Sequence, residues 1–178
     1  MKTQTPTFPL FSVVLTLTVL LTAAMGFADT EVRGFIAQDT KWTADKSPYL
    51  ATGSLIVNQG VTLTIAPGVT VKFNPNTALQ VDGTLAARGT QEMRITSTAS
   101  EDKVPGGWGN IHFTDKSTPS KLDDAGNYIK GSVLEYSIIE YATGMGGTGA
   151  VRVNVSNLLV DHCTISNAAG NGVSVYGK

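Results

Sequence analysis

Along most of the chain, apolar residues recur in short bursts at every second position. Leu55 and Val57 form one burst, Leu63 and Ile65 another; Val69, Val71 and Phe73 follow, and then Leu79 and Val81. A period of two sends successive side chains to opposite faces of an extended strand, so each burst reads as a strand with one face inside. Gly53, Gly60, Pro67-Gly68, Asn74-Pro75-Asn76, Asp82-Gly83 and Gly89 stand between the bursts. These residues supply a positive or a fixed φ and turn the chain at a corner. The strands between corners are short, about three to five residues each.

The bursts also repeat. Leu63, Ile65, Val71 and Phe73 are followed 22 positions later by Leu85, Ala87, Met93 and Ile95. Leu134, Ile139, Ala142 and Gly144 recur 26 positions later as Val160, Ile165, Ala168 and Gly170, and Val151 and Val153 recur 22 positions later as Val173 and Val175. Three short strands per repeat describe one coil of a solenoid, whose strands pair in parallel with their equivalents about 4.8 Å above and below. An antiparallel sandwich gives no reason for such a recurrence. The fold expected is therefore all-β: a right-handed parallel β-helix with rungs of roughly 22–26 residues. Its interior ladder should stack Leu63 on Leu85, Val71 on Met93 and Phe73 on Ile95.

Rungs are expected over 53–178. The preceding segment, 29–52, with Trp42 and Tyr49, is expected to cap the end of the helix, where an uncovered core and bare strand edges would otherwise meet water. At the other end, Gly172 to Lys178 stops on a strand without a polar cap, which reads as a truncated solenoid. Two stretches interrupt the pattern. Ser97 to Gly107 carries Glu101, Asp102, Lys103 and Pro105; Asp115 to Lys130 carries Pro119, Asp123-Asp124, Gly126-Asn127 and Tyr128. Both read as loops leaving corners, and insertions on a solenoid gather on one face that often binds something.

Residues 1–28 read as a secretory signal peptide. Lys2 is the only charge, an apolar run from Leu10 to Leu21 follows, and Ala23, Ala24, Gly26 and Ala28 supply small residues for cleavage after Ala28. The run is too short to span a bilayer as a helix, which takes about 20 residues. The expected location is secreted, periplasmic or cell-surface, with the membrane involved only through the cleaved signal. Removing 28 of the 178 residues leaves 150, enough for one domain. Net charge is −1, and −2 once Lys2 is gone, so no basic surface exists to neutralise a nucleic acid or hold an anionic membrane. Cys163 is the single cysteine and excludes an internal disulfide; within an apolar strand it reads as a small buried residue.

Three segments carry a likeness to a known family: "TKWTADKSPYLATGSLIVNQGVTLTIAPGVTVKF" from Thr40, "GGWGNIHF" from Gly106 and "VLEYSIIEYATG" from Val133. Together with the later rungs, they make the chain resemble the bacterial right-handed β-helix repeat proteins of the pectin-lyase-like superfamily. The segment "LLVDHCTISN" from Leu158 looks like a pectate lyase pattern in which Trp-Ile-Asp-His-Cys precedes a pair of calcium-binding aspartates. Leu159 holds the Trp position here, and Ala169 to Ser174 contains no carboxylate. The hard oxygen ligands of a calcium site are missing there.

No catalytic or metal set emerges from the remaining residues, and no cofactor is implied. His112 and His162 are 50 positions apart and in no metal-ligand spacing. Asp161 and His162, as strand neighbours, are expected on opposite faces. Asp123 and Asp124 lack the alternating acidic positions of a calcium loop and read as a solvated turn. Asn154-Val155-Ser156 matches a glycosylation triplet, a pattern common by chance. Trp108, between Gly107 and Gly109, could offer an aromatic face to a sugar or anchor the loop above it, and Tyr128 is similarly placed in the second insertion. These two are the binding candidates.

The reading is an exported, non-catalytic β-helix module of a secreted or cell-surface protein, glycan-binding or adhesive, whose partner is a polysaccharide or cell-surface glycan. The alternative is the N-terminal part of a polysaccharide lyase or glycoside hydrolase with catalytic residues beyond residue 178.

Overall fold

The structure, a computed structural model, describes residues 28–142, 149–154 and 157–176. Residues 1–27 of the signal segment and Gly144 lie outside the described residues. Among the described residues there is no α-helix, only a single 3-10 turn at Ala44–Lys46, and no helix is long and apolar enough to cross a membrane. Strand follows strand along three faces, and almost every pairing is parallel.

On the first face, Thr40–Trp42, Thr62–Ile65, Thr84–Arg88, Val133–Glu135 and Leu159–Asp161 stack in that order. The second face begins with the Tyr49–Ala51 half of the long strand Tyr49–Val57 and continues through Thr70–Phe73, Ile95–Ala99, Ser137–Glu140 and Thr164–Ser166. Its Leu55–Val57 half opens the third face, followed by Leu79–Val81, Ile111–Phe113, Val151–Val153 and Val173–Val175. Each turn of the chain around the three faces is one rung, and the fold is a parallel β-helix.

The alternation in sequence sets the inside. Val57, Val81 and Phe113 form one fully buried ladder, and Leu63 stacks on Leu85 as expected. Burying each such side chain contributes roughly 1.5–3 kcal/mol. Leu134 on Val160, Ile139 on Ile165 and Val151 on Val173 also follow the expected register.

Two stacks differ from expectation. Val71 pairs with Ser97, not Met93, and Phe73 with Ala99, not Ile95. The first-face spacing of 22 holds between Leu63 and Leu85, but the corner after Arg88 takes up extra residues, so the second face is spaced by 26. Met93 sits in that corner and is exposed, while its carbonyl accepts the N–H groups of Gly68 and Thr90.

The segment expected as a cap adds strands to the ladder. Thr30–Ile36 pairs in parallel with Tyr49–Val57, and Trp42 lies in register with Ile65 while its ring stacks on Tyr49 at 4.8 Å.

Candidate functional site on the third face

The outward positions of the third face form a second ladder. Ile56, Gln80, His112, Arg152 and Ser174 are register partners in that order. The two insertions bracket this face. One occupies the corner ahead of Ile111–Phe113 and the other the corner after it, so both leave the same rung and not successive ones. The first is shorter than its sequence suggests, because Ser97 to Ala99 complete a strand. The second folds back as a small antiparallel pair, Lys121–Leu122 with Tyr128–Lys130.

A groove of about 340 Å³ runs along the ladder. Ile56 and Ala78 provide apolar lining, and Gln80, Asn110, His112 and Arg152 provide polar groups. Gln80 donates through Nε2 to Asp82 Oδ1 at 3.0 Å, and Thr114 donates to the same oxygen, which fixes the Gln80 amide. Arg152 donates from Nε to Asn154 Oδ1 at 3.3 Å and lays its guanidinium over the Tyr176 ring, 4.8 Å from the centroid. Burial, aided by the positive charge of Arg152, holds the His112 imidazole below its ordinary pKa of 6.5; a hydrogen bond to Asn154 and the carboxylates of Asp82 and Asp115 pull the other way. His112 Nε2 is buried with no hydrogen-bond partner among the described residues. The groove thus combines a neutral imidazole, an amide and a fixed guanidinium beside apolar surface, the mixture that suits a ligand with hydroxyls on an otherwise carbon-rich face.

Trp108 is not a ligand platform. It is fully buried, stacks on Phe73 with centroids 4.1 Å apart, and donates through Nε1 to the Glu140 carbonyl at 2.8 Å. Both ring faces belong to the core, because the Gly107 and Gly109 backbone lets the strand reach close to its neighbours: a Cβ at Gly109 would stand 2.7 Å from the Thr77 carbonyl oxygen. Of the two readings of Trp108, the loop anchor is the one the structure places.

Tyr128 lies half-buried in the second insertion, its hydroxyl donating to the Gly131 carbonyl at 2.6 Å and its ring under Arg88, 4.9 Å away. Burial raises its phenol pKa. Arg88 in turn pairs with Glu135 at 2.7 Å.

Asp161 and His162 do not sit on opposite faces. His162 has φ +49, and that left-handed residue breaks the alternation, bringing His162 Nδ1 to 2.8 Å from Asp161 Oδ2. Tyr136, with φ +46, occupies the same corner one rung earlier and stacks on the His162 ring at 4.5 Å. Sequence alternation alone missed this pair; a positive φ at a non-glycine residue carries no signal in composition.

Cys163 is half-buried. Its thiol donates to the carbonyls of Leu134 and Asp161, and burial pushes its pKa up, as suits an unreactive side chain. Asp123 accepts the N–H groups of Ala125 and Asn127 and the Asn127 amide, a self-capped turn whose hydrogen bonds, that from the Asn127 side chain foremost, lower its pKa; Asp124 beside it is exposed. Of the glycosylation triplet only Asn154 is among the described residues. Among these residues, no three His, Cys, Asp or Glu side chains are grouped to hold a metal.

The architecture and its outward polar ladder define a parallel β-helix domain with a grooved face. The chain belongs to the pectate-lyase-like beta helix domain family, whose model matches residues 34–177. It is also similar to the protein named bark beetle of Drosophila melanogaster, 43% identical over 67 residues. That stretch is 37% of this chain and 2% of the insect protein, so the likeness spans one small part of a far larger molecule. No solved structure matches the chain.

Proposed function

We propose that this chain is an exported, non-catalytic β-helix module of a secreted or cell-surface protein, and that it binds a polysaccharide or cell-surface glycan along its third face. One observation carries the reading: Gln80, His112 and Arg152 occupy one outward position on successive rungs, in a groove flanked by both insertions. A ladder of polar groups at the rung spacing of about 4.8 Å suits an extended, repetitive ligand. The export reading rests on residues 1–28 and comes from their sequence alone. A glycan array probed with the wild-type protein and with Arg152→Ala tests the site. Binding lost in the variant supports the reading; binding unchanged in Arg152→Ala and His112→Ala contradicts it.

A second reading, the N-terminal part of a polysaccharide lyase or glycoside hydrolase, is favoured by the corner of the first face. Glu135 and Asp161 are register partners on successive rungs, and Asp161 holds His162. Paired carboxylates are the usual equipment for cleaving glycosidic bonds. Release of new reducing ends from pectate or another polysaccharide, lost in Asp161→Asn, would establish this reading in place of the first.

A further inference from the structure

We propose that the strand Thr30–Ile36 is the interface between two copies of this chain, joined head to head in antiparallel pairing about a two-fold axis at Arg33. The strand pairs with Tyr49–Val57 along one edge, and among the described residues nothing pairs with its other edge. Beside that edge is an opening of about 510 Å³ lined by Val32, Phe35, Ile36, Trp42 and Leu55, with Phe35 exposed to 72%. An edge this long, backed by apolar surface, is a template for another strand.

The backbone fixes which groups are free. Thr30 N–H donates to the Pro48 carbonyl at 2.8 Å, and the Ile36 carbonyl accepts the Asn58 N–H at 3.1 Å, so these residues face inward to Tyr49–Val57. Gly34 has φ +79, yet Thr30 and Ile36, six residues apart, both face inward and burial alternates throughout, so the alternation holds across it; Glu31, Arg33 and Phe35 therefore aim their N–H and C=O groups at the open edge. A two-fold axis at Arg33 sets Glu31 opposite Phe35 of the second copy and Arg33 opposite its own equivalent. Every outward N–H then meets an outward C=O. The same axis brings Val32 of one copy against Gly34 of the other, closing the two apolar ends on each other.

Charge selects this occupant. Edge strands are ordinarily protected by charges that repel a second copy. Here Glu31 and Arg33 have opposite signs, two residues apart on the outer face. In the antiparallel pair, each Glu31 lies diagonally across from Arg33 of the other copy, within reach of a long side chain. The two Arg33 face each other across the axis, and each is flanked by Glu31 of its own strand and Glu31 of the other, so the four charges balance within the pair. This interface is separate from the third-face groove, and its test is independent of glycan binding.

The test is sedimentation of the full chain over a range of concentrations. The wild type is expected to run as a dimer at tens of micromolar. Glu31→Arg alone, or Arg33→Glu alone, surrounds the axis with like charges and is expected to weaken the dimer by about tenfold or more; the double swap Glu31→Arg/Arg33→Glu restores it. Phe35→Pro removes an N–H that points outward while leaving the bonds to Tyr49–Val57, and is likewise expected to give a monomer with an unchanged far-ultraviolet circular dichroism spectrum. A wild type that stays monomeric, even one whose edge accepts a strand from another protein, overturns the proposal. So does a dimer that tolerates both Phe35→Pro and Arg33→Glu, or a double swap no better than its singles.

Discussion

The indole of Trp108 lies flat on the ring of Phe73, 4.1 Å between centroids and 10° from parallel, and joins two rungs through the interior. Phe73 belongs to one rung, and Trp108 follows the first insertion on the next, where it bridges to Ala142, so the pair clamps the first insertion to the core. Trp108→Ala should therefore destabilise by about 3–5 kcal/mol, from lost burial and the Glu140 carbonyl left without its donor. Tyr128→Ala, at a half-buried position of the hairpin, should cost far less. Urea unfolding of the two variants checks this; equal losses would mean that Trp108 is not part of the core.

Val71→Asp should cost several kcal/mol more than Lys72→Asp. Val71 is buried in the ladder, and a carboxylate there must be desolvated or protonated. Lys72 is partly exposed and pairs with Asp29 at 3.1 Å, so its replacement loses a surface ion pair and sets two acids side by side, a cost of about 1 kcal/mol. Urea melts of both variants distinguish the two positions.

That contrast was fully legible in the sequence, because inside and outside follow from a period of two. The partners of Val71 were not. Leu63 finds Leu85 after 22 residues, whereas Val71 slips to Ser97 because the corner after Arg88 is longer than the one after Ile65, and no rule of alternation measures a corner. Of the site, Trp108 and Tyr128 stood out as aromatics, yet the groove is built from Gln80, His112 and Arg152, ordinary residues whose common position emerges only when the register is known. The 40 positions between His112 and Arg152, against 32 between Gln80 and His112, hide the ladder from any fixed period.

Gly83→Ala should be among the most damaging single-methyl changes. A Cβ there would stand 2.2 Å from the Asn58 carbonyl oxygen and 2.3 Å from that of Val61, and both belong to backbone that pairs with its neighbours. Gly126→Ala meets nothing within 4 Å and should cost only the penalty of a left-handed alanine, about 1–2 kcal/mol. Thermal melts should rank Gly83→Ala well below Gly126→Ala; the reverse order would contradict the corner geometry.

Stability should fall as the pH drops below the ordinary histidine value of 6.5, and His112 should account for part of the fall. Its folded pKa is depressed, so on acidification the unfolded chain takes up the proton first and gains relative to the folded one. The contribution is fully present above pH 6.5, declines as the pH falls from there towards the folded value, and levels off below it. Urea midpoints measured between pH 7.5 and 5 should slope less in His112→Gln than in the wild type. Identical slopes would show that the imidazole is not held neutral by the fold.

The most direct test of the third-face site is a nuclear magnetic resonance titration of the isotope-labelled protein with an oligosaccharide chosen from the glycan array. The amide resonances of Gln80, His112 and Arg152, and the His112 ring signals, should shift together and saturably, while those around the buried Trp108 stay in place. Shifts confined to the corner of Glu135, Asp161 and His162, or no saturable shift along the third face with any glycan, would contradict binding at this face.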